Sequence, residues 1–224
     1  MDKKFEITGT TKLTCLLGNP VSHSISPAMH NASFQKLGLD YTYLAFSVDE
    51  THFERAVDGL ITLGAAGWNC TMPLKRLMYE RVDTLSDSAL LSGAVNTVVN
   101  RDGQLFGDNT DGYGFLQSMR DAGFSCEEKH AVLLGSGGAA AAILAQAALD
   151  GAAAIDVFAR SASASTRLIA EEIQRIHARC DCRIRLFDLA DSTSLRHCLD
   201  EADVLINASS VGMAPHTDAS LIPD

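Results

Sequence analysis

The chain has no apolar run approaching the roughly 18–20 residues that cross a bilayer, so a membrane partner is not expected. Basic residues are in deficit: 18 Lys and Arg stand against 28 Asp and Glu, a net charge of −10. A nucleic-acid binder normally carries the opposite surplus, so that class is set aside. The N-terminal segment has two lysines but only a short apolar stretch, Leu13 to Leu17, and no small-residue cleavage site, so a secretory signal is not expected and the reading is cytoplasmic. The six cysteines (Cys15, Cys70, Cys126, Cys180, Cys182 and Cys198) are scattered, as suits free thiols in a reducing compartment. Cys180-x-Cys182 with His177 fits no common zinc spacing, and no metal is expected. No internal repeat occurs.

What is present is an ordinary globular composition. The 224 residues weigh 23.9 kDa, with 46% apolar and 21% charged residues, enough for one large domain or two small ones. Strand-like and helix-like patterns alternate throughout. Lys12 to Leu17 reads as a strand. Ser26-Pro27 reads as a helix start, with serine as the cap and proline in the first turn, and the helix stops at Gly38. Strands are expected at Tyr41–Phe46 and Gly67–Met72, and helices over 53–61, after Leu74, over 84–91 and over 110–122. Val95 to Asn100 and Gln104 to Phe106 flank Arg101-Asp102-Gly103 as a hairpin.

Polar residues from Phe124 to Lys129 mark an expected domain boundary, dividing the chain into residues 1–123 and 124–224. Beyond it the strands are predominantly apolar: Ala131–Leu134, Ile155–Phe158, Ile184–Phe187 and Val204–Ile206. Continuous apolar strands alternating with helices indicate a parallel sheet covered on both faces. Ile169, Ile173 and Ile176 recur at helical spacing and are expected to face it. The predicted class is α/β with two domains, the second a Rossmann-like, doubly wound parallel sheet.

Gly135-Ser136-Gly137-Gly138-Ala139-Ala140 follows the first of these strands and opens an alanine-rich helix. This is the G-x-G-x-x-A form of a dinucleotide fingerprint. The first glycine allows a tight turn, the second admits a pyrophosphate, and the helix start offers N–H groups and a positive dipole end. The second strand ends in Arg160-Ser161, where a 2′-phosphate would lie, while Asp156 is inside the strand rather than at its end. That pattern favours NADP over NAD.

Three further segments cluster polar groups around glycine and proline. They are Gly18-Asn-Pro-Val-Ser-His23-Ser24-Ile-Ser26-Pro27, then Gly67-Trp-Asn69-Cys-Thr71-Met-Pro73-Leu-Lys75, then Gly93-Ala-Val-Asn96-Thr97 continued by Gly107-Asp-Asn109-Thr110-Asp111. With the glycine loop, these segments closely resemble the shikimate dehydrogenase family, in order from about Leu16 to Met213. That resemblance implies reduction of 3-dehydroshikimate to shikimate with NADPH, in aromatic amino-acid biosynthesis. It implies that Ser24 and Ser26 bind the substrate carboxylate, that Thr71 binds substrate, and that Lys75 is the catalytic lysine. Asn96 and Asp111 would hold ring hydroxyls beside it. Gly135, Ser136, Gly137, Gly138 and Ala139 would cradle phosphate; Arg160 and Ser161 would meet the adenosine end, and Ser209 and Met213 the nicotinamide side.

The residue types suit that chemistry. Hydroxyls bond a carboxylate without adding charge, Ser24 being better placed than Ser26, which also has a helix to cap. A lysine, with a free pKa near ~10.4, is protonated at neutral pH and can donate to an oxygen that becomes anionic as hydride arrives. A neighbouring Asp111 would favour its charged form. His23 and His30 read as structural or surface residues, and Trp68 as core. The expected partner is a small-molecule substrate, the chain being a monomer or homodimer. Alternatives stay open: an NAD-using quinate/shikimate dehydrogenase, a non-catalytic ligand-binding form, or a methyltransferase, the last leaving Arg160 and the Lys75 motif unexplained. The second domain supplies four strands where a full doubly wound domain has six, so roughly 50–60 further residues are expected in a complete family member.

Overall fold

A computed structural model describes residues 6–161, 163–214 and 217–222. The chain forms two units. One takes in the residues up to Leu90 together with Ala94–Asn109; the other takes in Leu91–Gly93 and the residues from Thr110 onward.

The first unit is built on strands β1 (Lys12–Gly18), β2 (Tyr41–Ser47), β3 (Gly67–Cys70), β4 (Thr84–Leu85), β5 (Thr97–Arg101) and β6 (Gln104–Asp108). They form one mixed sheet in the order β2-β1-β3-β5-β6-β4. Helices α1 (Ser26–Leu37), α2 (Phe53–Thr62), α3 (Lys75–Arg81) and α4 (Asp87–Ser92) connect them. Successive side chains of β1 serve opposite faces, as the two-residue strand period requires. Cys15 and Leu17 join Phe53, Val57, Trp68 and Met78 in one core, while Leu16 packs with Val21 and Tyr43 in another. The hairpin forms as expected, Asp102 and Gly103 taking positive φ in its two-residue turn.

Two local expectations are corrected. The 84–91 segment is not one helix: Thr84–Leu85 pairs with β6 before α4 starts at Asp87. The β-bridge to Phe106 and Gly107 outcompetes a helical turn there. Strand β3 stops at Cys70 rather than Met72, because Thr71 opens a turn whose carbonyl receives the Leu74 N–H at 2.9 Å.

The second unit holds α5 (Asp111–Asp121), β7 (His130–Leu134), α6 (Gly138–Leu149), β8 (Ala154–Ala159), α7 (Ala164–His177), β9 (Arg183–Asp188), α8 (Ser192–Glu201) and β10 (Val204–Asn207). Its four strands are all parallel, in the order β10-β7-β8-β9. Ala131 and Leu133 face a core shared with α6 and with Ile169, Ile173 and Ile176 of α7. Val132 and Leu134 face the opposite side, against Leu195 and Cys198 of α8. Helices thus cover both faces, which is why the central strands β7 and β8 lack the polar alternation that the edge strand β9 keeps at Arg183 and Arg185. Asp156 is the exception: fully buried in β8, it accepts from Arg185 at 2.7 and 2.6 Å and from His130 at 2.8 Å.

The division between the units precedes the expected break at residues 123–124. Helix α5 belongs to the second unit because it packs on α6, and Gly112 makes that approach possible: a Cβ there would lie 2.1 Å from the Ala142 carbonyl oxygen. The polar 124–129 stretch is a loop after α5 rather than a linker between units. Among the described residues, no helix is long and apolar enough to cross a membrane.

Candidate active site

In the first unit the chemistry collects at one sheet edge. β1 and β3 run parallel, with Leu17 opposite Cys70, so both strands end there. β5 runs antiparallel to β3, with Asn69 opposite Thr97, so it begins where β3 ends. Ser24 and Ser26 follow β1, Thr71 and Lys75 follow β3, and Asn96 immediately precedes β5. Backbone bonds lock these loops together. The Thr71 N–H reaches the Leu17 carbonyl at 2.9 Å, and the Asn19 N–H reaches that of Met72 at 3.0 Å. The Val95 N–H reaches the Lys75 carbonyl at 2.9 Å, and the Cys70 N–H reaches that of Asn96 at 2.8 Å.

Ser26 does not cap α1. The N-cap residue is Ile25, whose side chain makes no cap hydrogen bond. Instead the Ser24 hydroxyl oxygen accepts the Ser26 N–H at 3.2 Å, a local turn that satisfies this donor from outside the helix. Asn31 holds α1 against β2. Its amide nitrogen donates to the carbonyls of Pro27 and Tyr43 at 2.8 and 2.9 Å, and its oxygen accepts the Tyr43 N–H at 2.9 Å.

His30 stacks on the Tyr43 ring at 4.3 Å, and burial holds its imidazole below the usual histidine range. Trp68 lies in the core and donates to the Met78 sulfur at 3.4 Å. Cys70 is pushed up to about 12 by burial and by the Cys15 thiol, the Lys75 charge acting in the opposite direction. It is an inert core thiol.

In the second unit the expected nucleotide residues share the C-terminal edge of the parallel sheet. β7 lies between β8 and β10, so the chain departs from it to both sides and the edge beyond β7 is a switch point. Gly135 sits there with φ +122, its Cα facing the Ala208 carbonyl so closely that a Cβ would stand 3.0 Å from that oxygen. Gly137 is extended and precedes α6, which no side chain caps. At Gly137 and Gly138 a Cβ would meet nothing within 4 Å. A glycine-lined, uncapped helix start open on its outer side fits a pyrophosphate. The Ser136 hydroxyl pairs with that of Ser165 at 2.9 Å, tying the loop to the start of α7, which Ser163 caps by accepting the Thr166 N–H at 3.1 Å.

Arg160 and Ser161 follow β8 and line an open pocket of about 490 Å³ with Asp188, Leu189 and Ala190. Ser161 donates its hydroxyl hydrogen to Asp188. The Ala190 N–H and that hydroxyl hold the Asp188 carboxyl below its usual range. The 207–213 turn is folded by Asn207, whose side-chain oxygen accepts from the Ser209 N–H and hydroxyl at 3.0 and 2.7 Å, while its nitrogen donates to Val211 at 3.1 Å. Met213 is exposed. Asp111 is the first residue of α5 in this unit.

Sequence reading assigned no role to Asp188 or Asn207. Asn207 had a usable signal, an asparagine two residues before a serine at a strand end. Asp188 had none: its relation to Ser161 arises only because β8 and β9 are neighbours, with Ala159 opposite Asp188. Among the described residues no group of three or more His, Cys, Asp or Glu side chains could hold a metal.

The sheet orders, the switch-point glycine loop and the polar edge of the first unit define a two-unit α/β protein of the dinucleotide-dependent dehydrogenase type. A family profile described as "Shikimate dehydrogenase substrate binding domain" matches residues 16–98. A curated shikimate dehydrogenase (NADP(+)) of Listeria monocytogenes is 42% identical over 217 residues, covering 97% of this chain and 74% of the relative. One from Alkaliphilus metalliredigens is 44% identical over 221 residues, covering 98% and 75%. The crystal structure of a Listeria monocytogenes shikimate 5-dehydrogenase in complex with shikimate and NAD superposes with a TM-score of 0.93, at 42% identity, over 97% of this chain and 75% of that one. The chain belongs to the shikimate dehydrogenase family.

Proposed function

We propose that this chain is an NADP-dependent shikimate dehydrogenase that interconverts 3-dehydroshikimate and shikimate in aromatic amino-acid biosynthesis. One observation carries the reading: the pairing of Asn69 with Thr97 and the Val95–Lys75 backbone bond bring Thr71, Lys75 and Asn96 to a single sheet edge beside the serine loop.

The proposed roles follow from residue chemistry. The Ser24 oxygen already accepts a backbone N–H, so its own hydrogen is the one available to a carboxylate oxygen. Ser26 adds a second hydroxyl, while Thr71 and Asn96 bind ring oxygens. Lys75 delivers a proton to the ketone oxygen as it becomes an alcohol, and receives it in the reverse direction. Asp111 is assigned with Lys75 as the second catalytic group. NADPH, when bound, supplies the hydride. Gly135–Ala139 would hold its pyrophosphate on backbone N–H groups, and Arg160 its 2′-phosphate, Ser161 joining it only by turning its hydroxyl hydrogen away from Asp188, with Ser209 and Met213 beside the nicotinamide.

The test is NADPH oxidation with 3-dehydroshikimate, alongside NADH and alongside quinate in the oxidative direction. Turnover with NADPH and 3-dehydroshikimate supports the reading; binding of both ligands without turnover overturns it in favour of a non-catalytic form. An NAD-using quinate/shikimate dehydrogenase is the second reading, favoured by the Asp188 carboxylate in the Arg160 pocket. We further place the protein in the cytoplasm as a monomer or homodimer, to be checked by cell fractionation and sedimentation.

A further inference from the structure

We propose that Gly18 is a positioning residue: the space left by its missing side chain receives the Thr71 methyl group, and that contact turns the Thr71 hydroxyl away from Gly18 and toward the substrate. The inference rests on the reading of Thr71 as a substrate-binding residue and adds what aims that residue.

Gly18 is the buried last residue of β1, and its backbone conformation does not require glycine. Its φ lies outside the left-handed region that favours glycine, and it stands in regular parallel register with Ser47 of β2. What it supplies is room. A Cβ at this position would overlap the Thr71 Cγ2 outright, and would stand 3.0 Å from the Met72 carbonyl oxygen and 3.3 Å from the Val21 Cγ1. The Met72 oxygen is held in place by the Asn19 N–H at 3.0 Å, and the Thr71 backbone by its own N–H on the Leu17 carbonyl at 2.9 Å. Val21 is packed with Leu16 and Tyr43 in a small core. The Thr71 side chain is thus the neighbour that would have to give way.

The stereochemistry of threonine then decides the outcome. Rotation about χ1 has three staggered wells, each presenting a different Cβ substituent to Gly18. The methyl faces it here, so the hydroxyl lies in a well directed elsewhere. Among the described residues no hydrogen bond holds that hydroxyl, which leaves the methyl contact to fix its direction. A side chain at position 18 would admit neither the methyl nor the hydroxyl in the facing well, only the Cβ hydrogen. Because the Cβ of threonine has one handedness, the rotation that brings the hydrogen round carries the methyl into the well the hydroxyl had occupied. A donor is exchanged for a methyl at the position read as binding substrate. Serine, with two hydrogens on Cβ, escapes the exchange.

Strand register is what brings the two residues together. Leu17 of β1 lies opposite Cys70 of β3, so Gly18 and Thr71 are the next positions along the two parallel strands. Glycine has no side chain with which to touch a substrate, so any effect of position 18 on substrate binding passes through Thr71.

The experiment is a coupling cycle between positions 18 and 71, read by steady-state kinetics. Gly18→Ala is expected to raise the KM for 3-dehydroshikimate about tenfold or more, with the NADPH KM within about twofold of wild type. Thr71→Ser keeps the hydroxyl and loses the methyl that aims it, and is expected to cost about two- to fivefold in kcat/KM. Adding Thr71→Ser to Gly18→Ala is expected to recover most of the loss, bringing the double variant within about threefold of Thr71→Ser alone. Losses that simply add overturn the proposal, as does a Gly18→Ala enzyme with the wild-type KM. A wild-type enzyme with no shikimate turnover overturns the activity reading instead. In that case, or where a Gly18→Ala protein does not fold, the contact is judged on ligand-free, isotope-labelled wild-type protein. The three-bond couplings from the Thr71 Cγ2 to its own backbone nitrogen and carbonyl carbon should report a single staggered rotamer, and values averaged over rotamers overturn it.

Discussion

The Ser161 hydroxyl donates to the Asp188 carboxylate across the ends of neighbouring strands β8 and β9. The hydroxyl expected at a cofactor 2′-phosphate thus has its hydrogen directed to an anion in the same pocket as Arg160. On the proposed reading, in which the 2′-phosphate enters this pocket, two opposing charges bear on it. Asp188→Asn is expected to raise the ratio of kcat/KM for NADP over NAD by about three- to tenfold, less at high salt, by removing like-charge repulsion. Arg160→Ala should move the same ratio the other way. An unchanged ratio in Asp188→Asn would show that the carboxylate does not bear on the cofactor.

Lys75→Ala is expected to lower kcat about a hundredfold or more, with the NADPH dissociation constant, measured by fluorescence titration, staying within about threefold. The two effects separate because α3 and the glycine loop belong to different units. In the intact enzyme the oxidation of shikimate should accelerate from about pH 7 to about pH 10, as a base is needed in that direction. A flat profile, with chemistry rate-limiting, would count against Lys75 as the proton carrier.

Glu172 on α7 is 1% exposed, and its Oε1 has no hydrogen-bond partner among the described residues. Burial raises its carboxyl well above the ordinary value, against a smaller opposing effect from the Arg175 charge. The folded chain therefore keeps this proton at pH values where the unfolded chain has released it. More protons are bound in the folded state, so stability falls as pH rises from about 4.3 toward the raised value. Glu172→Gln removes that dependence. It is expected to stabilise by about 1 kcal/mol or more at pH near 8 and to be close to neutral near pH 4, read from urea denaturation at both values.

Asp156 shows the opposite sign. Burial would raise its carboxyl, but hydrogen bonds from Arg185 and His130 outweigh that and hold it below the usual range. Its contribution is present above the unfolded value of about 3.9 and is lost as pH falls through the depressed folded value. Asp156→Ala is expected to cost about 2–3 kcal/mol at neutral pH, the lower part of the range for a broken buried pair because Arg185 keeps access to water. The difference from wild type should shrink in acid unfolding below about pH 3.

Part of the architecture was readable from local pattern. The strand, glycine loop and helix around Gly135 were legible because apolar period and glycine placement are local properties, and the hairpin at Asp102-Gly103 for the same reason. Ser26 misled, since serine before proline has the chemistry of a cap; what the hydroxyls do depends on the path after β1, where Ser24 turns back on the Ser26 N–H. The break ahead of residue 124 misled because polarity marks a loop, whereas membership of a unit follows packing, here α5 on α6 through Gly112.

From the sequence alone came the α/β class, the fingerprint loop, and the residue types able to bind a carboxylate, donate a proton and meet a phosphate. These depend on side-chain chemistry and short spacings. Tertiary structure alone decided that Asp188 faces Ser161 and that Lys75 shares an edge with Asn96. Strand order is settled by long-range pairing, and residues dozens of positions apart acquire a relationship only when a sheet sets them in register.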